Sequence, residues 1–339
     1  MLVIHQLYNN ILESHKYVNK ININKKNALE FKKDLEYSNE LFPREIKNYI
    51  KSKIKHLITY NTQINNRNVV INIYSRDFSY NDSEMIYQIL LIVNVLSLYT
   101  SKECTKNLYI NIFLTPFKKM LPKKASDILG PINVNSGFST SGCINTGKIT
   151  IYREEEWFKV LIHELFHNFN LDFATMNINK WKDKLLNIFG IQSEYNIYET
   201  YCETWARILN VAIISFMKSQ QDKKIFFSNF NSSMHIEQIY SLIQANKIYK
   251  NLKNPKLYRE NSNVLCYYVF TSALMNDYLS FLHWCNDNNR RLLKFDNTIK
   301  NVDLFFNHIL SQYSNPQYIE NLELVGKFKK NRSLRMTIV

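Results

Sequence analysis

The sequence predicts an α+β fold, with a small mixed sheet in the first half and a mainly helical second half. Three observations carry that prediction. Strand-like alternation is confined to "VVINIYSR" (69–76), "LYINIFLTP" (108–116) and "KITIYR" (148–153). An apolar helical stretch, "MIYQILLIVNVLSLY" (85–99), separates the first two. From 194 onward the alternation fades and long patterns of period 3.6 take over.

Taken in order, residues 1–65 are basic, with apolar residues at helical spacing in "ALEFKKDLEY" (28–37) and "EIKNYIKSKIKHLITY" (45–60). They read as an N-terminal segment of two or three helices. The strand at 69–76, the buried helix and the strand at 108–116 follow, then a loop, "KKMLPKKAS". Four of the six glycines fall in "GPINVNSGFSTSGCINTG" (130–147), which predicts turns around a short strand. After the strand at 148–153, "EEEWFKVLIHELFHNF" reads as a helix opened by three acids suited to its N-terminus. Three regions result: 1–65, a sheet lobe at 66–175 and a helical lobe at 176–339.

Composition bounds the function. Hydrophobic residues make up 45% and charged residues 21%, a globular balance that excludes wholesale disorder. The net charge of +14 favours contact with polyanions. The lysines are spread along the chain without a tight basic block, so such contact is expected to be weak. Five cysteines (104, 143, 202, 266 and 285) form no CxxC pair and read as reduced thiols in a cytosol-like compartment. The N-terminus lacks a basic start followed by an apolar core, so a cytoplasmic, non-secreted chain is expected. The stretch 85–99 contains Gln88, Asn94 and Ser97 and falls short of the roughly 20 residues that span a bilayer. No membrane span is expected.

The chemistry lies in "VLIHELFHNFNLDF" (160–173). Residues four apart on an α-helix point the same way, one turn apart. His163 and His167 could therefore bind one metal ion, and Glu164 beside them could take a proton from a water held by that ion. The apolar flanks Val160, Leu161, Ile162, Leu165, Phe166 and Phe169 make an unpaired His-Glu-His costly.

This stretch resembles the HExxH helix of the zincin metallopeptidases, as does the order of elements before it. "HELFHNFNLDF" is similar to the metzincin pattern HExxHxxGxxH. Asn170 stands for its glycine, which a left-handed turn tolerates. Phe173 stands for its third histidine and cannot bind zinc. The gluzincin branch instead takes its third ligand from a glutamate on a later helix. There "NIYETYCETWARILN" (196–210) presents Glu199 and Glu203 one turn apart. The resemblance implies Glu199 as ligand and Glu203 as the acid that orients a histidine, or the two exchanged. Asp172 is the nearest other acid, and Cys202 reads as a packed thiol.

Gluzincins also supply a donor to the developing oxyanion. "NVLCYYVFTSAL" (263–274) offers Tyr267 and Tyr268 for that role, with Tyr195, His235 and His283 as rivals. The glycine-rich 134–143 is expected to hold an exposed strand that pairs with an extended peptide. The resemblance thus implies a Zn2+-dependent peptidase acting on peptide or protein substrates, with Glu164 activating a zinc-bound water. The composition resembles that of proteins from AT-rich giant viruses, which implies host cytoplasm or virion. Two other classes stay open: an inert structural or interaction protein on the same fold, and a basic nucleic-acid-associated protein. An intact His-Glu-His with both downstream acids argues against the first, and the dispersed lysines argue against the second.

Overall fold

The computed structural model describes residues 2–339 apart from 29, 30, 32, 34, 36, 39, 77–81, 125, 126, 253–257, 329 and 330. Among the described residues, six strands form one mixed sheet in the order β1-β2-β3-β4-β6-β5. The strands are β1 (Asn24–Ala28), β2 (His56–Ile64), β3 (Arg67–Ser75), β4 (Asn107–Phe113), β5 (Gly137–Ser139) and β6 (Thr146–Ile151). β3, β4 and β6 run parallel, and every other pairing is antiparallel. Helices α1 (Leu2–Val18), α2 (Arg44–Lys53), α3 (Ser83–Ser97), the single turn α4 (Pro131–Val134) and α5 (Trp157–Asn168) alternate with them.

The second half is helical: α6 (Asn179–Phe189), α7 (Ile197–Ser219) and α8 (Lys223–Leu252), then a π-helical turn (Leu265–Phe270) running into α9 (Thr271–Asn276). α10 (Tyr278–Asn288), α11 (Ile299–Tyr313) and α12 (Pro316–Val325) complete it. No helix among the described residues is long and apolar enough to cross a membrane.

Alternation along the strands sorts the two faces of the sheet. Ile71, Ile110 and Ile149 share one core with α1, α3, α5 and α7. Tyr74, Phe113 and Tyr152 meet Phe42, Ile46 and Ile50 around α2 in a second core. Between strands, polar side chains form ladders. Thr59 Oγ1 donates to Asn72 Oδ1 (2.8 Å), and Asn72 Nδ2 donates to Asn111 Oδ1 (2.9 Å). Asn68 Nδ2 likewise donates to Asn107 Oδ1 at 3.0 Å. The many asparagines of these strands thus occupy each other's hydrogen-bonding groups across the sheet.

The N-terminal region corrects the expectation of a separate helical segment. Residues 1–65 contribute two strands as well as two helices, and the proposed boundary at 65/66 cuts the β2–β3 hairpin. Its turn residues Asn65 and Asn66 stand at φ 48° and 65°, the paired positive values of a tight hairpin turn that asparagine tolerates. Leu7 and Ile11 of α1 are fully buried in the main core. Half of the helix expected over 28–37 lies outside the described set, and the other half is not helical, Ala28 ending β1 and 31, 33, 35 and 37 lying in irregular chain. The end of the loop expected over 118–126 is also outside the described set. A second correction concerns the thiols. Cys104 and Cys143 form a disulfide, tying the loop before β4 to the loop between β5 and β6, while Cys202, Cys266 and Cys285 are free and buried.

Candidate metal centre

α5 is buried along almost its whole length, wedged between the β5–β6 edge of the sheet and α7. β5 is the edge strand, and Gly137 lets it lie directly on α5. A Cβ there would stand 3.0 Å from both Val160 Cγ1 and the Thr150 carbonyl oxygen. The expected substrate-side strand therefore borders the histidines, although it is only three residues long.

His163 Nε2 and His167 Nε2 lie 3.1 Å apart, and Glu199 Oε2 lies 3.0 Å from the first and 3.3 Å from the second. Ligands arranged tetrahedrally at ordinary Zn–N and Zn–O distances stand about 3.3–3.4 Å apart. The triangle therefore has the size of a zinc site. The other ring nitrogen of each imidazole faces a carboxylate. His163 Nδ1 faces Glu203 Oε2 at 3.3 Å, and His167 Nδ1 hydrogen-bonds Asp172 Oδ2. In the neutral tautomer that metal binding requires, each imidazole keeps its proton on Nδ1, on the side of Glu203 and of Asp172, and turns an Nε2 lone pair to the shared point. Glu199 Oε2, buried at the same point, has no hydrogen-bond donor. With both imidazoles in that tautomer, three acceptors converge, a costly arrangement unless a cation sits among them.

Electrostatics follows from this packing. Burial works to raise Glu199, but His167 and His163 overcome it and hold the carboxyl down to about 2. Burial pulls both imidazoles down, yet Glu199 and Glu203 leave His163 above its ordinary value, while Cys202, Glu199 and Asp172 hold His167 well above it. Glu203 is held well below the carboxylate range despite its burial, chiefly by Lys159. Lys159 Nζ donates to both Glu203 oxygens at 2.9 Å, and Arg207 Nε donates to Oε1 at 3.0 Å.

The two glutamates of α7 thus stand in different places, with Glu199 at the converging atoms and Glu203 behind His163. Asp172 returns to His167 because Asn170, at φ 52°, turns the chain back after α5. Cys202 Sγ donates to Asp172 Oδ2 at 3.3 Å, and burial pushes its thiol well up. Phe173 is fully buried against Phe295, 4.2 Å between ring centres.

Glu164 lies on the open side of α5, where Ser139 Oγ of β5 donates to Oε2 at 2.8 Å. Both line a cleft of about 530 Å³ with His163, His167, Glu199 and Tyr267. Tyr267 and Tyr198 bring their rings to 5.9 Å from His163 and 6.0 Å from His167. Burial raises both hydroxyls, with Glu199 the next cause, so they remain protonated donors.

Tyr268 corrects the expectation of a second cleft tyrosine. It is buried, and its hydroxyl donates to the Leu334 carbonyl at 2.6 Å. The π-helical turn separates the two neighbours, and its Cys266 carbonyl accepts from Thr200 of α7 (3.2 Å) and from Thr271 (2.8 Å). Tyr195 is also turned away, donating to Ile191 O at 2.7 Å. His235 and His283 are exposed on α8 and α10 and do not line the cleft.

Sequence reading missed Ser139, Tyr198, Lys159, Arg207 and the role of Asp172. Two of these had a signal. Lys159 precedes His163 by one turn inside an apolar helix, and Arg207 follows Glu203 at the same spacing. The fold also gathers dispersed cations. Lys123, Lys124, Lys247, Lys250, Arg259 and Arg332 surround a cavity of about 400 Å³ that contains Asp127 as its acid. No protein-family model, curated protein or solved structure matches the chain.

Proposed function

We propose that this chain is a zinc metallopeptidase of the gluzincin kind, with His163, His167 and Glu199 as the metal-holding residues. One observation carries the reading. Two imidazole nitrogens and one carboxylate oxygen converge within 3.0–3.3 Å of one another, with a glutamate beside them facing an open cleft. Two histidines and a glutamate are a donor set of catalytic zinc, and imidazole nitrogen suits that metal. When bound, zinc would supply Lewis acidity, polarising a carbonyl oxygen and acidifying a water.

The protein's own groups do the rest. Glu164 Oε2 accepts a proton from water and returns it to the nitrogen of the leaving amine. The Ser139 hydroxyl, donating to that same oxygen, fixes the carboxylate's orientation without neutralising it. Tyr267 and Tyr198 offer hydroxyl donors to a carbonyl oxygen as it gains negative charge. The edge strand β5 offers an extended peptide a surface to lie along.

Elemental analysis and hydrolysis assays test the reading together. The purified protein is expected to carry about one zinc per chain. Glu199→Ala and His163→Ala should lose most of it. Glu164→Gln should keep the zinc and lower peptide hydrolysis by about 10²–10⁴-fold. Full zinc in the ligand variants, or near wild-type turnover in Glu164→Gln, sinks the proposal.

A further inference from the structure

Beside the main cleft lies a second, smaller cavity of about 50 Å³. The two share Asn135, Gly137, His163, Glu164 and Tyr267 as walls. The cavity is thus reached from the reacting side of Glu164, past the edge strand. Its inner wall is unusual for a space beside an acid-rich metal centre. Lys119 and Lys159 line it, 1% and 2% exposed, with Met336 between the sheet lobe and the chain's last described residues.

Four buried cations stand around the cavity, and what each of them meets differs. Lys159 and Arg207 both turn to Glu203. Lys119 Nζ has Glu156 Oε2 at 3.2 Å, and Glu156 Oε1 is already taken by the backbone amides of Met336 and Thr337. Arg153 adds a fourth buried cation, held by the carbonyls of Asn135 and Ile132 at 3.0 and 2.6 Å. The nearby acids have partners of their own: Glu155 Oε1 accepts from the Lys119 backbone amide at 3.4 Å, and Glu237 Oε2 accepts from Thr337 Oγ1 and the Ile338 amide at 3.0 and 3.1 Å. Glu164, at the mouth, is tied to Ser139. An ammonium has three protons to donate, and Glu156 is the one acceptor of Lys119 among the described residues. A buried cation with free donors next to a cavity favours an anionic occupant.

We infer that this cavity receives a carboxylate of the substrate, on the residue next to the bond that is cleaved, and that Lys119 is the specificity-determining residue. The cavity has room for a short side chain, so aspartate or glutamate fits the chemistry, as does the free carboxyl end of a peptide. In both cases the carboxylate oxygens accept from the Lys119 ammonium. This inference rests on the peptidase reading, since that reading puts a peptide in the cleft. Burial draws Lys119 down to about 8, with Glu156 pushing back, so it is mostly charged at neutral pH.

The test uses zinc-supplemented full-length Glu164→Gln protein and hexapeptides measured by calorimetry. The peptides carry Asp, Asn or Ala at each position in turn, with an amidated C-terminus, and the Ala peptide is also made with a free carboxyl end. Asp at one position should bind about 10- to 100-fold tighter than Asn, the range of one charge-assisted hydrogen bond. If the free-ended Ala peptide gains instead, the carboxylate is the chain terminus.

The double variant K119M/E156Q removes both charges of the pair together, which protects the fold, and should reduce the gain to within about twofold. Equal binding of all peptides, or a gain that survives in K119M/E156Q, overturns the inference. Cleavage of the same peptides by wild-type protein is scored separately. If none is cut while the Lys119-dependent gain persists, the peptidase reading fails and the carboxylate site stands.

Discussion

His163 and His167 sit one turn apart on α5, yet the structure supports them in opposite ways. Behind His163 lies an ion cluster in which Glu203 is shared by Lys159 and Arg207, and Arg207 reaches on to Ser241 Oγ at 2.8 Å. Behind His167 stands one carboxylate, Asp172, with a neutral thiol beside it and aromatic rings beyond. The comparison teaches that a carboxylate can orient a buried imidazole in two energetically distinct roles. As a member of a cluster, its loss leaves other charges unpaired. Outside such a cluster, its loss leaves only uncharged donors, the Cys202 thiol and the Ala174 amide, beside the imidazole. The first side ties the His–Glu cluster to the stability of the fold; under the proposed zinc reading, the second would act on metal affinity.

The largest expected effect is on the His163 side. Glu203→Ala leaves Lys159 and Arg207 buried without their carboxylate and should cost about 3–5 kcal/mol of stability. Denaturant unfolding of the metal-free protein reads this directly. A loss below about 1 kcal/mol would mean that the cluster contributes little beyond orienting His163, and the two sides would then be alike.

The His167 side should respond in affinity instead. Asp172→Ala frees Nδ1 and loosens the ring, and losses of such orienting partners weaken metal binding by about 10–100-fold. Competition with a chelator of known affinity measures it. Stability without metal should fall by less than in Glu203→Ala. If Asp172→Ala unfolds the protein as strongly, the contrast between the two sides fails.

The smallest effect is on pH dependence. Both imidazoles stand above their ordinary value in the metal-free protein, His167 by more. A histidine raised on folding contributes stability that is complete below its unfolded value, about 6.5, and is lost as pH rises through the folded value. Over the window from about pH 6.5 upward the metal-free protein should therefore lose stability, at no more than about 1.4 kcal/mol per unit for each imidazole. Zinc competes for the same nitrogens, so its stabilisation should grow over that window. Thermal melts with chelator and with zinc give both slopes. Because Glu260, burial-raised to about 7, slopes in the same direction, the informative quantity is the difference between wild type and Asp172→Asn. That variant should flatten the metal-free slope, and an unchanged slope would remove His167 from the account.

What the sequence determined by itself is the chemistry that local geometry transmits. An α-helix puts residues 163, 164 and 167 in fixed relation, so the His-Glu-His unit and its helix were legible without knowing what lies around them. The same holds for the strands that became β3, β4 and β6, whose alternation is a local signal, and for the helical second half. Elements with weak local signals escaped. β1, "NKKNA", has no apolar face, and the asparagine turn at 65–66 fell on the boundary expected between two regions, past the last stretch with helical spacing.

Tertiary structure alone decided the rest. Which of Glu199 and Glu203 meets both Nε2 atoms depends on how α7 docks against α5, a displacement of one helical turn that no spacing rule resolves. Tyr267 and Tyr268 are neighbours in sequence, and only a π-helical turn pinned to α7 sends one to the cleft and the other into the core. Lys119, far from the motif in sequence, meets Lys159 and Glu203 beneath it because β4 runs beside β6 and carries its following loop to that end of α5. Such placements arise from burying apolar surface among distant segments, and the polar groups carried along take whatever partners that packing brings within reach.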